Sequence, residues 1–386
     1  MSSAVRNVLA RVRRLGRGVP EGFHFSRPLV LLQSDDWGRV GVRDAEGSGE
    51  LRAAGINLGE RAYDLYSLET AEDVGALAET LTAVHDCVGR PACLTMNFVL
   101  ANVDFANALV ANADEVPLKM LADGLPGRWT RPGLLEGYRE GIAAGVFSPA
   151  LHGTTHFCQR AAVQALQQGG ERADLLRTLW KAETPYIHWR MPWIGYEYWN
   201  PEQPPAQRFI SESEQRRSIQ WAKEAYRRLL GAAPASACAP GYRADATTHR
   251  LWREQGICVS QNGPGAVRAP HFDDHGLLHT YRSLDFEPAL HPGLRWQDCC
   301  EDARSWLTRG LPLVVSVHSI NFHSTLSGFR QKTLPLLAEF LKGMKHAFPE
   351  LLFVNECQLL EIIERGAFES SSGKIVVKAR RGKGAA

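Results

Sequence analysis

The chain alternates short, continuously apolar runs with longer stretches in which apolar residues return every three or four positions. Pro28–Gln33 (PLVLLQ) is such a run, and others follow at Ala92–Phe98, Phe147–Leu151, Ser236–Ala239, Ile257–Ser260, Leu313–Val317 and Leu351–Val354. Uninterrupted runs of this length suit strands buried on both faces. Between them the spacing predicts helices over Ala71–Val88, Leu134–Ala144, Ala161–Ala182, Glu212–Leu230, Thr247–Gln255, Asp302–Arg309 and Gln331–Ala347. Strands alternating with helices predict an α/β fold built on a parallel sheet.

Two segments fall outside the alternation, near residues 38–68 and 186–209. The second holds HWRMPWIGYEYWNPEQPP, too rich in proline and aromatics for a regular element. Loops of this length in a compact domain either carry function or cover one end of the fold, and aromatic faces stack well on sugar rings. The reading is therefore a barrel-like unit over residues 23–368 with two insertions, a basic leader over 1–22 and a basic flexible tail over 369–386.

A length of 386 residues fits one βα barrel with insertions better than two unrelated domains. With 44% hydrophobic residues, 22% charged and a net charge of +2, the composition suits a large core and excludes bulk nucleic-acid binding. The basic residues gather at the ends: Arg6, Arg11, Arg13, Arg14 and Arg17 in front, Lys378, Arg380, Arg381 and Lys383 behind. Such runs are usually solvated; the alternative is peripheral contact with the inner membrane or an anionic lipid carrier. No apolar stretch approaches the roughly 20 residues of a membrane span, and the N-terminus has no signal-peptide core, so a cytoplasmic protein is expected. The eight cysteines form no C-x-x-C pair and are read as reduced.

The chemistry-bearing residues cluster just after the apolar runs, where the active sites of parallel barrels lie. Asp35-Asp36-Trp37-Gly38 ends the first run. His152-Gly-Thr-Thr-His156 follows another, and histidines at i and i+4 share one side of a helical turn, within reach of one metal ion. One carboxylate with two histidines is the ligand set of a catalytic zinc-type site, leaving the other aspartate as a natural general base. Each motif alone has a plainer reading, as a cap or a pair of hydrogen-bonded imidazoles. Pro240-Gly241-Tyr242-Arg243 forms a turn whose backbone N–H groups are placed to face an oxyanion, with Arg243 available to pair with a carboxylate. His318 ends the run LPLVVSV and is placed to protonate a leaving amine.

Read together in chain order, Asp35-Asp36, His152/His156, Pro240–Arg243 and Val317-His318 resemble the motifs of NodB-type polysaccharide deacetylases; DDWG with HGTTH is similar to a cytoplasmic branch of that superfamily. The resemblance implies a distorted (β/α)7 barrel and metal-dependent removal of acetyl from N-acetylated sugars. It implies Asp35 as general base, Asp36, His152 and His156 as metal ligands, His318 as general acid and Pro240–Tyr242 as oxyanion contacts. Zinc suits the set, with cobalt, nickel or iron as alternatives. A nucleotide- or lipid-linked sugar is the implied substrate, with lipopolysaccharide O-antigen or capsule assembly as its setting. A small non-sugar amide or ureide, or a non-catalytic sugar-binding role, are the alternatives. Three features depart from the family pattern. The interval from Asp36 to His152 is long, Arg243 follows its proline rather than preceding it, and no D-x-x-D-W motif appears. Asp273, Asp274 and Asp285 are the candidates for orienting His318.

Overall fold

The computed structural model describes residues 21–265, 268–370 and 373–382. Eight parallel strands make its centre: β1 (Leu29–Trp37), β2 (Leu94–Phe98), β3 (Phe147–Leu151), β4 (Ser236–Cys238), β5 (Val259–Asn262), β6 (Leu278–Tyr281), β7 (Leu284–Asp285) and β8 (Leu313–Ser316). Their order is β7-β8-β1-β2-β3-β4-β5-β6, with His271–Phe272 added antiparallel beyond β6 and Leu352–Phe353 paired to the start of β1. The row ends on β6 and β7, which only Arg282 and Ser283 separate in the chain. One chain segment thus links the two edges, and the sheet curls into a distorted barrel of seven strand positions. Gln33 Nε2 lies 3.4 Å from Thr280 Oγ1, joining β1 to the seam strand.

Every residue of β1 is buried, as its unbroken apolar character predicts. The surrounding helices bury one face each, and four of them start on reciprocal side-chain caps: Thr70 with Asp73, Ser211 with Glu214, Asp245 with Thr248 and Asn355 with Gln358. The stretch read as one helix over Ala161–Ala182 is two, Gln159–Gln168 and Gly170–Lys181. Gly169 and Gly170 break it, with φ of 69° and 71°. The helix expected from Asp302 begins earlier, at Trp296.

The insertion after β1 contains a helix, Ala45–Ala53, capped by Asp44. A hairpin, Ala101–Val103 with Leu118–Met120, adds to the long interval before β3. The 186–209 segment is ordered through short 3₁₀ turns and bridges that join Trp199 to Tyr196 and Phe209.

The stretch expected to be a flexible tail forms strands as far as Gly382. Ala367–Ser370 pairs with Gly373–Val376, and Ala379–Gly382 pairs antiparallel with Gly22–Phe25. Ile375 and Val377 are buried at alternate positions while Lys374, Val376 and Lys378 face outward, so a largely basic composition hides a strand pattern. Most of the leader, residues 1–20, lies outside the described residues, as do residues 383–386 of the tail. Among the described residues no helix is long and apolar enough to cross a membrane.

Candidate active site and metal centre

Adjacent side chains on a strand point to opposite faces, so Asp35 and Asp36 cannot both enter the barrel mouth from a regular β1. The register against β2 shifts between Ser34 and Trp37, and Asp36 takes a φ of 75°, unusual for a residue with a Cβ. The twist turns both carboxylates inward. Tyr66 supports it by donating its hydroxyl to the Asp36 carbonyl at 2.8 Å.

His152 and His156 meet on a loop after β3 rather than on the helical turn expected from their spacing. Gly153, with a φ of 84°, lets the chain fold back; a Cβ there would strike the Glu197 carboxylate. Glu197 in turn accepts the Thr154 N–H at 2.9 Å and fixes the loop. The His152 ring donates Nδ1–H to the Cys238 carbonyl at 2.8 Å, so Nε2 is the nitrogen turned to Asp36. His156 Nδ1 meets the Tyr186 hydroxyl at 3.0 Å. Both Nε2 atoms face Asp36 Oδ1, at 3.7 Å from His152 and 3.1 Å from His156.

Asp36 Oδ1 is buried yet has no hydrogen-bond partner, while Oδ2 is held by Arg39 at 3.0 Å. A buried carboxylate oxygen left open beside two imidazole nitrogens fits a divalent cation, and the three donor atoms lie within 4.8 Å of one another. Asp35, His152 and Cys238 form a second such grouping. It fits less well, because Arg282 already neutralises Asp35, and burial together with the Asp35 charge pushes the Cys238 thiol up, away from thiolate.

Burial drives His156 well below the usual imidazole range, so it is neutral, as a ligand must be. Burial acts the same way on His152, but the Asp35 charge and a bond to Asp36 outweigh it and raise His152 to about 10. A cation held there would displace that proton.

Asp35 sits beside this trio. Arg282 reaches its Oδ1 at 2.5 Å and Asn97 donates to the same oxygen at 2.7 Å, while Oδ2 has the Cys238 thiol at 3.8 Å. Burial favours the protonated carboxyl, but Arg282, His152 and His318 hold Asp35 well below the usual carboxylate range. His318 Nε2 lies 3.8 Å from that Oδ2. Its Nδ1 meets Glu287 Oε1 at 2.6 Å, and Glu287 also accepts from Asn321 Nδ2 at 2.5 Å. Burial alone would lower His318; the Glu287 charge and hydrogen bond, aided by Asp35, raise it to about 9.

Two expectations need correction. Glu287 orients His318, whereas Asp274 and Asp285 are exposed and Asp273 holds His279. Arg243 is exposed and lies over the Trp199 ring at 4.7 Å, while the arginine that pairs with the aspartate is Arg282, at the barrel seam. Arg282 also donates to the Tyr242 hydroxyl at 2.7 Å. Within the turn, the Tyr242 N–H bonds the Ala239 carbonyl and the Arg243 N–H bonds the Pro240 carbonyl. Gly241 is thus the one residue of the turn whose N–H is not engaged in these bonds. Tyr196 packs over Gly241 and stacks on His188, and with Trp199 it lines the approach to His156.

No family model matches the sequence, and no curated protein matches it. Among solved structures, similarity is found to the carbohydrate deacetylase Agd3, at 12% identity over 87% of this chain and 53% of that one, with a TM-score of 0.47. The chitin deacetylase of the fungal pathogen Colletotrichum lindemuthianum matches at 12% identity over 86% and 89%, with a TM-score of 0.38. A 4-alpha-glucanotransferase from Thermococcus litoralis matches at 12% identity over 87% and 40%, with a TM-score of 0.48.

Proposed function

We propose that the protein is a divalent-metal-dependent hydrolase that removes the N-acetyl group of an amino sugar. The observation that carries the reading is the placement of Asp35 between two complementary sets. On one side stand Asp36, His152 and His156 with an open carboxylate oxygen; on the other stands His318, held protonated by Glu287.

A divalent ion held by Asp36, His152 and His156 would supply Lewis acidity at the amide carbonyl and the attacking water. Asp35 takes a proton from that water through Oδ2, because Oδ1 is occupied by Arg282 and Asn97. The new C–O bond forms at the acyl carbon, and the Gly241 N–H is the donor available to the developing oxyanion. As the C–N bond breaks, the His318 imidazolium gives its Nε2 proton to the amine nitrogen. Acetic acid and the free amino sugar leave, and the proton taken up by Asp35 passes to His318 Nε2, 3.8 Å away, so that both groups regain their starting states. Glu287 keeps the imidazole in the tautomer whose Nε2 faces the cavity and stabilises its charged form.

The rim supports a sugar substrate. Tyr196 stands 5.6 Å from His156 with Trp199 beside it, and guanidinium groups of Arg243 and Arg61 lie over Trp199 and Trp189, at 4.7 and 4.1 Å. A rim of rings and cations suits a sugar next to a phosphate, so a nucleotide- or lipid-linked precursor met in the cytoplasm is the proposed class. The test is acetate release from metal-loaded protein offered an N-acetylhexosamine joined to a diphosphate, beside ammonia release from a ureide of similar size. Acetate release alone is the expected result; turnover of the ureide alone would replace the sugar reading.

A further inference from the structure

A second group of metal-ligating side chains lies outside the barrel mouth, on the outer face of the sheet. We propose that His249, Asp273 and His279 form a separate divalent-cation site, of the zinc class, which clamps the helix Ala246–Glu254 to β6. The inference is independent of the deacetylase reading.

The three side chains each offer one donor atom, and these atoms lie within 4.8 Å of one another. They come from three elements: the helix, the turn after His271–Phe272, and β6. Asp273 is oriented as a ligand should be. Its Oδ1 accepts the backbone N–H groups of His275 and Leu277, each at 2.9 Å, which leaves Oδ2 facing His279 Nε2 at 3.2 Å. Asn262 Nδ2 lies 3.2 Å from the other His279 nitrogen, so that ring is fixed at both ends. The His249 and His279 rings meet edge to face at 4.7 Å. His271 stacks on His279 at 5.5 Å and fills the outer side. The feature that hydrogen bonding leaves unexplained is His249 Nε2, which is buried and has no partner. A buried ring nitrogen without a partner costs free energy, and a cation shared with Asp273 and His279 would satisfy it.

Two imidazoles and one carboxylate match the set at the barrel mouth, so both sites would take the same class of ion.

The position gives the clamp a purpose. The helix starts at Asp245, directly after the turn that carries Tyr242, and β6 runs directly into Arg282. An ion joining helix to strand would hold the Tyr242 and Arg282 ends in register.

The test counts zinc. Full-length protein is stripped with a chelator, refilled with Zn²⁺, desalted and analysed for metal per chain, with circular dichroism as a check of fold. Wild type is expected to hold two equivalents, His249→Ala one, His156→Ala one and the double variant none. Added Zn²⁺ should raise the Tm of His156→Ala and leave that of the double variant unchanged. Should His249→Ala misfold, Asp273→Asn takes its place, with one equivalent expected. One equivalent in wild type that persists in His249→Ala or Asp273→Asn would overturn the second site and leave the deacetylase reading standing. One equivalent that is lost only in His249→Ala would do the reverse.

Discussion

Replacing His318 by alanine is expected to lower kcat for N-deacetylation by about 10²- to 10⁴-fold while leaving fold and metal content unchanged. The amine leaving an amide is a poor leaving group until it is protonated, and His318 is the acid that faces Asp35. The same assignment fixes a pH dependence. Burial works against the imidazolium, but Glu287 and Asp35 outweigh it and raise His318 to about 9. The acid form is therefore present below that value and lost as pH rises through it. The plot of kcat/KM against pH should fall above about 9. In Glu287→Gln the carboxylate is gone and burial prevails, so the falling limb should move to lower pH. An unchanged limb in that variant would remove His318 from the role of acid. Rescue of the limb position in Glu287→Asp would separate electrostatics from a general loss of structure.

Arg282→Met is expected to cost about 3–5 kcal/mol of stability at neutral pH, the usual penalty for leaving one partner of a buried ion pair unpaired. Arg282 and Asp35 are both buried, with 2.5 Å between them. In the wild type Asp35 titrates well below its ordinary value, so the pair stabilises the fold above that ordinary value, and the contribution is lost only as pH falls through the lowered one. Without Arg282, burial and the lost hydrogen bond raise Asp35 above the unfolded value. The deficit should then be largest at neutral pH and shrink on acidification, as the isolated carboxyl becomes protonated. Urea unfolding at pH 7.5 and pH 5 measures both parts; an equal deficit at the two values would mean that packing, not charge, is what Arg282 supplies.

The chain marked the candidate site residues more clearly than the groups that support them. Asp35 and Asp36 end, and His152 and His318 follow, strands that begin as continuous apolar runs, so periodicity located them. Arg282 and Glu287 escaped because β6 and β7 are short, partly polar and interrupted at the seam of the barrel. Nothing local marks Arg282 as the partner of Asp35, since 247 positions separate them and only closure of the sheet brings them together. Arg243 attracted the same role by lying in a strand-end motif, but its turn sends it outward to Trp199. The i and i+4 spacing suggested that His152 and His156 meet on a helical turn, whereas Gly153 makes a loop there and brings the two rings together by that route. The C-terminal strands were masked by Lys and Arg on their solvent face.

The measurement that bears most directly on the central claim compares wild type with an Asp36→Ala, His152→Ala double variant for metal content and acetate release from an N-acetylhexosamine conjugate. The account predicts that the variant keeps its fold, loses one equivalent of metal and releases no acetate, while the metal-loaded wild type turns over. Equal metal in both proteins, or acetate release that survives the double substitution, would contradict it.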